Sequence, residues 1–252
     1  MATLVNSGIG VVPTSELPKQ MAIAVSAWLD YNSSVCGEIG VQENMINYPI
    51  KAFSIMHQND YDFQFEKQHP YLSPRCHVDL YMKLKGNNED EYFFEFKQAK
   101  QDTSGSNERD RIFFDIARLS SLVSESRRCF FLVFGTGTSF KKNFLEYRQK
   151  EERVEKERFI EAHDNKKGEF NDAPFYSRWF YMLESDILKE KEINIRSDEH
   201  YVKFKAKYLD VEGVQDLEKA TPPNTIITKL ICLSLHEDSL NGLGLWEIKA
   251  KD

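Results

Sequence analysis

The apolar run at residues 129–134 constrains the fold more than any other part of the chain. It reads CFFLVF and is followed by Gly-Thr-Gly. A half-exposed strand alternates apolar and polar residues, whereas a continuous apolar run is typical of a strand buried on both faces. Such a strand lies inside a sheet that is covered on both sides. The chain is therefore predicted to be a mixed α/β protein, with a central β-sheet flanked by helices.

The segments before this run alternate between helical and extended patterns. The pattern at 41–58 contains Pro49, so it predicts either one kinked helix or two short ones. Period-two alternation predicts the strands, and Ile112, Ile116 and Leu119 share one face of the third helix. The predicted elements are helices at 15–30, 41–58 and 109–125, a strand at 61–68, and a hairpin of residues 76–86 and 91–100.

After the apolar run, the pattern becomes more charged and more broken. Residues 139–162 predict a long, charged helix, and GTGTS at 135–139 predicts a strand-to-helix turn. Short β-like runs follow at 175–183, 200–209, 225–235 and 243–249. We expect one domain over residues 1–252, with a core at about 40–170 and a β-rich C-terminal elaboration at about 171–252.

Composition sets limits on the class of protein. Hydrophobic residues make up 41% and charged residues 29%, which is ordinary for a folded globular domain. No apolar run is long enough to span a membrane and the start does not resemble a secretory signal, so we expect a cytoplasmic protein. The four cysteines are widely spaced and are expected to be reduced thiols, with Cys129 and Cys232 in the core.

The net charge of −7 bears on the partners. Modules that grip nucleic acid alone usually carry a basic surplus, because phosphate neutralisation supplies most of their affinity. The acidic balance weighs against a simple DNA-binding module. It is compatible with a site that holds a divalent metal ion, and it favours a protein partner subunit that helps to bring the substrate.

The stretch from 78 to 97 carries the candidate chemistry. Glu95 and Lys97 interrupt the aromatic strand FFEFK, and residues two apart in a strand share a face. Phe94 and Phe96 are then expected to point into the core. Counting back through the hairpin places Asp79 roughly across from Glu95. Two adjacent carboxylates favour a hard cation such as Mg²⁺ or Mn²⁺, and the Lys97 ammonium is suited to serve an attacking water or to stabilise a phosphate.

Asp79, Glu95 and Lys97, followed by the helix at 109–125 and the strand at 129–134, resemble the restriction-endonuclease-like superfamily, the PD-(D/E)XK nucleases. Val78 stands where the motif often has proline. The resemblance implies an Mg²⁺-dependent endodeoxyribonuclease that hydrolyses DNA, with Mn²⁺ as a substitute, in bacterial restriction, anti-phage defence or a mobile element. It implies that Asp79 and Glu95 bind the metal and that an N-terminal helix adds an acid, with Glu43 the first candidate and Glu38 the second.

Several alternatives stay open. Glu95 and Lys97 could form a salt bridge on a solvated sheet face, and the chain could be a nuclease-fold subunit that binds a partner and cleaves little alone. RNA as substrate and a homo-oligomer are also open. In the helix at 109–125, Asp115 and Arg118 are expected to pair on a solvated face, with Arg118 the leading candidate for a phosphate contact. Glu247 and Lys249 form a second ExK, interpreted as part of a terminal amphipathic strand.

Overall fold

The computed structural model describes residues 16–36, 43–72, 76–86, 90–99, 106–140, 179–181, 184–195, 223–235 and 240–251. At Cys36, Glu43, residues 106–111 and Ser139 the description covers the backbone only. The predicted strand at 200–209 lies outside the described residues, and so does all of the predicted helix at 139–162 except its first two residues.

Two helices precede the sheet. Helix α1 spans Leu17–Cys36 and α2 spans Asn47–His57, with a 3-10 turn at Glu43–Ile46 in front of α2. Pro49 lies in the first turn of α2. Its missing N–H costs no hydrogen bond there, because first-turn N–H groups have no acceptor within the helix. Of the two alternatives left open by the sequence, the structure has two short elements that meet at Asn47.

The strands of the described residues form one mixed sheet. Their bounds are β1 Tyr61–Gln68, β2 His77–Leu84, β3 Glu91–Gln98, β4 Arg127–Thr136, β5 Glu190–Asn194, β6 Thr225–Ser234 and β7 Asn241–Lys251. Their order across the sheet is β1-β2-β3-β4-β7-β6-β5. Only β3 and β4 are parallel among these pairs, and helix α3, Ser106–Ser120, lies between them in the chain. The prediction of a mixed α/β protein with a central sheet is confirmed.

The sheet separates two hydrophobic cores. On one face, helices α1 and α2 pack on a cluster that includes Phe94, Phe96 and Phe130. On the other face, α3 packs on a cluster that includes Phe93 and Phe131. Alternate residues of β3 and β4 thus enter opposite cores, which is why β4 is apolar throughout and why the inward orientation expected for Phe94 and Phe96 is confirmed.

Strand β7 differs most from its prediction. The run at 243–249 was predicted to be a terminal amphipathic strand, but residues 241–248 are all buried. The reason is position: β7 is an interior strand that pairs with β4 on one side and β6 on the other. A Cβ on Gly244 would lie 2.2 Å from the Trp246 ring, so only glycine fits this strand position.

Two smaller differences concern charged or aromatic segments. Strand β5, EKEIN, has only Ile193 buried and carries no apolar alternation that would predict a strand. It forms because it adds to the edge of β6 by backbone hydrogen bonds. In the predicted β-like run at 175–183, the described residues 179–181 are not strand. Trp179 and Phe180 are instead buried in the hydrophobic core on the face of the sheet that α3 covers.

Two predictions from composition bear on the described residues. Cys129 and Cys232 are buried and not disulfide-bonded, as expected of core thiols. Within the described part of the chain, no helix combines the length and apolar character that crossing a membrane requires. The strand-to-helix turn predicted for GTGTS is confirmed, since β4 ends at Thr136 and the short helix α4, Gly137–Phe140, begins at the next residue.

Candidate active site

Asp79 and Glu95 meet across the β2–β3 hairpin. Leu80 pairs with Phe94, and continuing that antiparallel register by one residue places Asp79 opposite Glu95. Directly opposed residues share a face, and their side chains lie about 5 Å apart at Cβ. The two carboxyl groups share a hydrogen bond. The structure therefore places Asp79 and Glu95 side by side, as hairpin counting predicted.

Asp79 is an acid that the fold makes difficult to ionise. Burial, opposed by a hydrogen bond from the Phe96 N–H at 2.6 Å, raises the pKa of Asp79 to about 6, and the nearby charge of Asp115 adds to the rise. The backbone bond fixes the direction of the carboxyl group. Asp79 is therefore oriented by the neighbouring strand before any ligand arrives.

Glu95 is the more deeply buried acid, at 4% exposure. Burial raises its pKa well above the usual range, and this outweighs the opposing effect of Arg118, whose Nη2 donates to Glu95 Oε1. The hydrogen bond between the two carboxyls lowers the pKa of Asp79, and the charge and hydrogen bond of Asp79 raise the pKa of Glu95, so their two protonation states depend on each other. Two acids placed this closely share one proton unless a cation joins them.

Lys97 lies on the same face and contacts helix α3. Its Nζ is 3.2 Å from Asp115 Oδ2, and Arg118 Nη2 is 3.3 Å from Asp115 Oδ1. The expected Asp115–Arg118 pair is therefore present, but the expectation of a solvated face is wrong, because both side chains are largely buried. Both side chains face the sheet. Asp115 pairs with Lys97 and with Arg118, and Arg118 in turn pairs with Glu95.

The position of Asp115 has a sequence signal that the prediction did not use. Asp115 follows Ile112 by three residues and precedes Leu119 by four, so it belongs to the same apolar stripe that packs on the sheet. Ile112, Ile116 and Leu119 are all buried. An acid within a buried helical stripe needs a cation on the opposing element, and Lys97 supplies one.

Glu66 is a second acid that was not assigned. By the β1–β2 register it lies opposite Asp79, between the pairs Phe65–Leu80 and Lys67–Val78. Its φ is +50°, an uncommon conformation for a non-glycine residue that marks local backbone distortion. Its charge contributes to the raised pKa of Asp79.

The remaining candidate site residues either lack a described side chain or lie away from Asp79 and Glu95. The side chain of Glu43 is not described, although its backbone begins the 3-10 turn before α2, and Glu38 lies outside the described residues. The side chains of Arg109 and Arg111 are also not described. The second ExK is divided between two ion pairs, because Glu247 binds Arg128 and Lys249 binds Glu190. It does not form a cluster of its own.

The donor set fits a hard divalent cation. The described residues contain no ready-made group of three or more His, Cys, Asp or Glu side chains for a metal ion. Mg²⁺ does not need one, since it is commonly held by one or two carboxylates and several waters. The facing carboxyls of Asp79 and Glu95, crowded enough to share a proton, supply such a pair.

The arrangement has the groups needed for hydrolysis at an anionic centre: paired carboxylates, one ammonium and one guanidinium, all between β2, β3 and α3. In comparisons with known proteins, no family model, curated protein or solved structure matches the chain.

Proposed function

We propose that this protein is a metal-dependent nuclease that hydrolyses DNA phosphodiester bonds, with Asp79, Glu95 and Lys97 as its catalytic residues. The observation that carries the proposal is the convergence of these side chains on one face of the β2–β3 hairpin. The acids face each other across two strands, and Lys97 follows Glu95 by two residues. An ordinary surface salt bridge would not require an acid as buried as Glu95.

The order of the elements supports membership of the restriction-endonuclease-like superfamily. Helices α1 and α2 precede the β1–β2–β3 meander, and α3 then leads to β4, parallel to β3. This is the order in which the motif resembles PD-(D/E)XK nucleases, with the acid on β2 and the ExK on β3. We extend the proposal to an endonuclease of bacterial restriction, anti-phage defence or a mobile element, acting in the cytoplasm.

Asp79 and Glu95 would hold the metal ion, Mg²⁺ or Mn²⁺, and Glu43 is retained as a candidate further ligand. When bound, the ion polarises the phosphoryl oxygen and lowers the pKa of water. The Phe96 N–H keeps the Asp79 carboxyl directed into the site. Asp115 pairs with the Lys97 ammonium on the sheet face that also carries Glu95. In the proposed mechanism the ammonium orients the attacking water or stabilises negative charge on the phosphate.

Supercoiled plasmid provides the first test, incubated with Mg²⁺, with Mn²⁺ or with a chelator. We expect the wild-type chain to cut the plasmid with either ion and to be inactive with chelator. Asp79→Ala and Lys97→Ala should each reduce the rate by at least about a hundredfold, because each removes a group that acts on the reacting atoms. Full activity in both variants would falsify the proposal.

Lys249→Ala is the matched control for Lys97→Ala. Lys249 is also the lysine of an ExK triplet on a sheet strand, but it pairs with Glu190 at the surface. We expect this variant to cut plasmid at the wild-type rate. Circular dichroism should show that all variants retain the wild-type content of helix and strand.

A second candidate function is a partner-binding subunit that cleaves little alone. It is favoured by large apolar side chains exposed on α1 and α2, namely Ile23, Tyr31, Val35, Tyr48, Ile55 and Met56. Large apolar side chains exposed to solvent are typical of interaction surfaces where they form a continuous patch. Size-exclusion chromatography with proteins encoded beside this chain distinguishes the two: an inactive chain that forms a tight complex favours the subunit.

A further inference from the structure

Arg118 is the cation in direct contact with Glu95. Its side chain is only 13% exposed, and one nitrogen, Nη2, contacts both Glu95 and Asp115. Phe114 lies against the guanidinium, with its ring centre 5.8 Å from the guanidinium carbon. The charges of Glu95 and Asp115 outweigh burial and raise the pKa of Arg118, so the group stays positively charged.

The hydrogen bonds of Arg118 are incomplete. A guanidinium has five N–H donors in a planar fork. The Nε donor is buried and has no hydrogen-bond partner among the described residues. A buried donor without a partner is costly, and such an atom beside a candidate active site indicates a ligand that the protein alone does not supply.

The chemistry of the site identifies the ligand. A divalent ion bound by Asp79 and Glu95 competes with Arg118 for the same Glu95 carboxylate, since both are cations. The guanidinium that gives up Glu95 still has Asp115 at 3.3 Å to hold its position. Its freed donors and the unpartnered Nε–H suit two oxygens of one phosphate, which guanidinium groups bind in a bidentate manner.

We propose that Arg118 is a substrate-phosphate contact whose guanidinium is exchanged between two anions. In the metal-free molecule it binds Glu95, and with metal and DNA present it binds a backbone phosphate. The proposal rests on the proposed function, because it takes DNA as the source of the phosphate. It adds that Glu95 is occupied by an internal cation until a metal ion displaces that cation.

The first experiment measures phosphate contact without cleavage. A double-stranded oligonucleotide is bound in Ca²⁺, with Ca²⁺ as the oxygen-binding cation, over a series of salt concentrations. Removing one phosphate contact reduces the slope of log affinity against log salt by about 0.9. We expect this reduction in Arg118→Gln. Arg118→Lys should keep the wild-type slope but bind about tenfold more weakly, because lysine keeps the charge and loses the fork.

The second experiment measures exchange at Glu95 without DNA. Mn²⁺ is titrated calorimetrically into the metal-free protein. Arg118→Gln removes the competing cation and should bind Mn²⁺ about tenfold more tightly than the wild type. A residue that merely supports the fold would leave Mn²⁺ affinity unchanged or lower it, so the direction of the change identifies the role.

Arg128→Gln is the matched control for both experiments. Arg128 also donates to a largely buried glutamate, Glu247, but on β4 and β7. We expect wild-type slope and wild-type Mn²⁺ affinity from this variant. If Arg118→Gln does not melt cooperatively, Arg118→Lys decides alone, and wild-type DNA affinity in that variant overturns the proposal.

The outcomes separate this proposal from the proposed function. Unchanged salt slope and unchanged Mn²⁺ affinity in Arg118→Gln overturn the Arg118 proposal even where the wild type cuts plasmid. A reduced slope and tighter Mn²⁺ binding support it even where no cleavage occurs, in which case the nuclease function fails and a metal-dependent DNA-binding site remains.

Discussion

At the scale of single residues, the candidate site concentrates charge where the fold excludes water. Asp79, Glu95 and Asp115 are acids, and Lys97 and Arg118 are the cations that face them. Buried charges reduce stability unless they are paired and hydrogen-bonded. Asp79 has a backbone donor, but burial and neighbouring acids still hold its pKa at about 6. The site therefore costs folding free energy at neutral pH.

Asp79→Asn is expected to stabilise the metal-free protein at pH 7 by about 1–3 kcal/mol. The raised pKa means that the folded state binds the Asp79 proton more tightly than the unfolded state. Asp79 therefore lowers stability as pH rises from about 4 through 6, whereas asparagine keeps an acceptor for the Phe96 N–H without the charge. Urea unfolding at pH 7 in chelator measures the difference.

The stabilisation by Asp79→Asn should largely disappear near pH 3.5, where the aspartate is mostly protonated in both states. Asp62→Asn is the control, since Asp62 is an exposed acid of the neighbouring strand, paired with Lys85. It should change stability by less than about 0.5 kcal/mol at either pH. A destabilised Asp79→Asn at pH 7 would show that burial of the charge is not the dominant effect.

Single residues also show how far sequence reasoning extends. Strand alternation alone was enough to place Glu95 and Lys97 on one face, and hairpin counting placed Asp79 opposite Glu95. Asp115 was misplaced because a helical acid with an arginine three residues later is usually a surface pair. Its burial depends on β3 packing under α3, and that contact brings together residues distant in sequence.

At the scale of elements, His69 joins the β1–β2 connection to the end of α3. The ring is fully buried, its Nε2 lies 3.4 Å from the Arg118 carbonyl oxygen, and its Nδ1 accepts a hydrogen bond from the Tyr71 N–H. The ring is therefore neutral, with the proton on Nε2. Burial lowers the pKa of His69 to about 4.

Stability should depend on pH through His69. Between pH 6.5 and about 4, the unfolded state takes up a proton that the folded state excludes, so the contribution of His69 is complete above pH 6.5 and is lost as pH falls towards 4. The loss is about 3 kcal/mol. Unfolding of wild type and His69→Gln should be compared at pH 7, 5.5 and 4.5.

The stability advantage of wild type over His69→Gln is expected to shrink steadily across that pH series. His57→Gln serves as a control, because His57 is a histidine at the end of α2, beside the other core. A wild-type advantage that stays constant from pH 7 to 4.5 would contradict a neutral, buried His69.

Helices and strands were predictable where the local order of apolar and polar residues indicates one type of element. Strand β1 has its predicted bounds, and the apolar run predicted β4. Strand β5 was missed because its sequence is charged, and it is held by backbone bonds to β6. The interior position of β7 was missed because pairing partners, not local pattern, decide which strands lie inside the sheet. No local signal encodes that choice.

At the scale of the whole molecule, one sheet unites the candidate site with the C-terminal strands. Strand β7 pairs with β4 along eight residues, and β4 pairs with β3, which carries Glu95 and Lys97. Trp246, fully buried, belongs to the same core as Ile116 of α3. The strands after residue 171 therefore extend the sheet that supports the site.

A chain truncated after residue 170 is expected not to fold cooperatively. It would lack β5, β6 and β7, leaving the apolar β4 with an open edge and its α3 face without Trp246. Scanning calorimetry of the truncated and full chains measures this, and we expect a single sharp transition only in the full chain. A cooperative melt from residues 1–170 would show that the predicted core at 40–170 is an independent domain.

The pairing of β4 with β7 also sets when the sheet of a newly made chain can be completed. Arg128 and Glu247, which bind each other across these strands, are 119 residues apart. At 5–20 residues per second, a ribosome needs about 6–24 s to make the intervening segment. During that interval Asp79, Glu95 and Lys97 have been synthesised, but β7, which pairs with β4, has not. We therefore expect the sheet that supports the candidate site to be complete only after synthesis has passed β7.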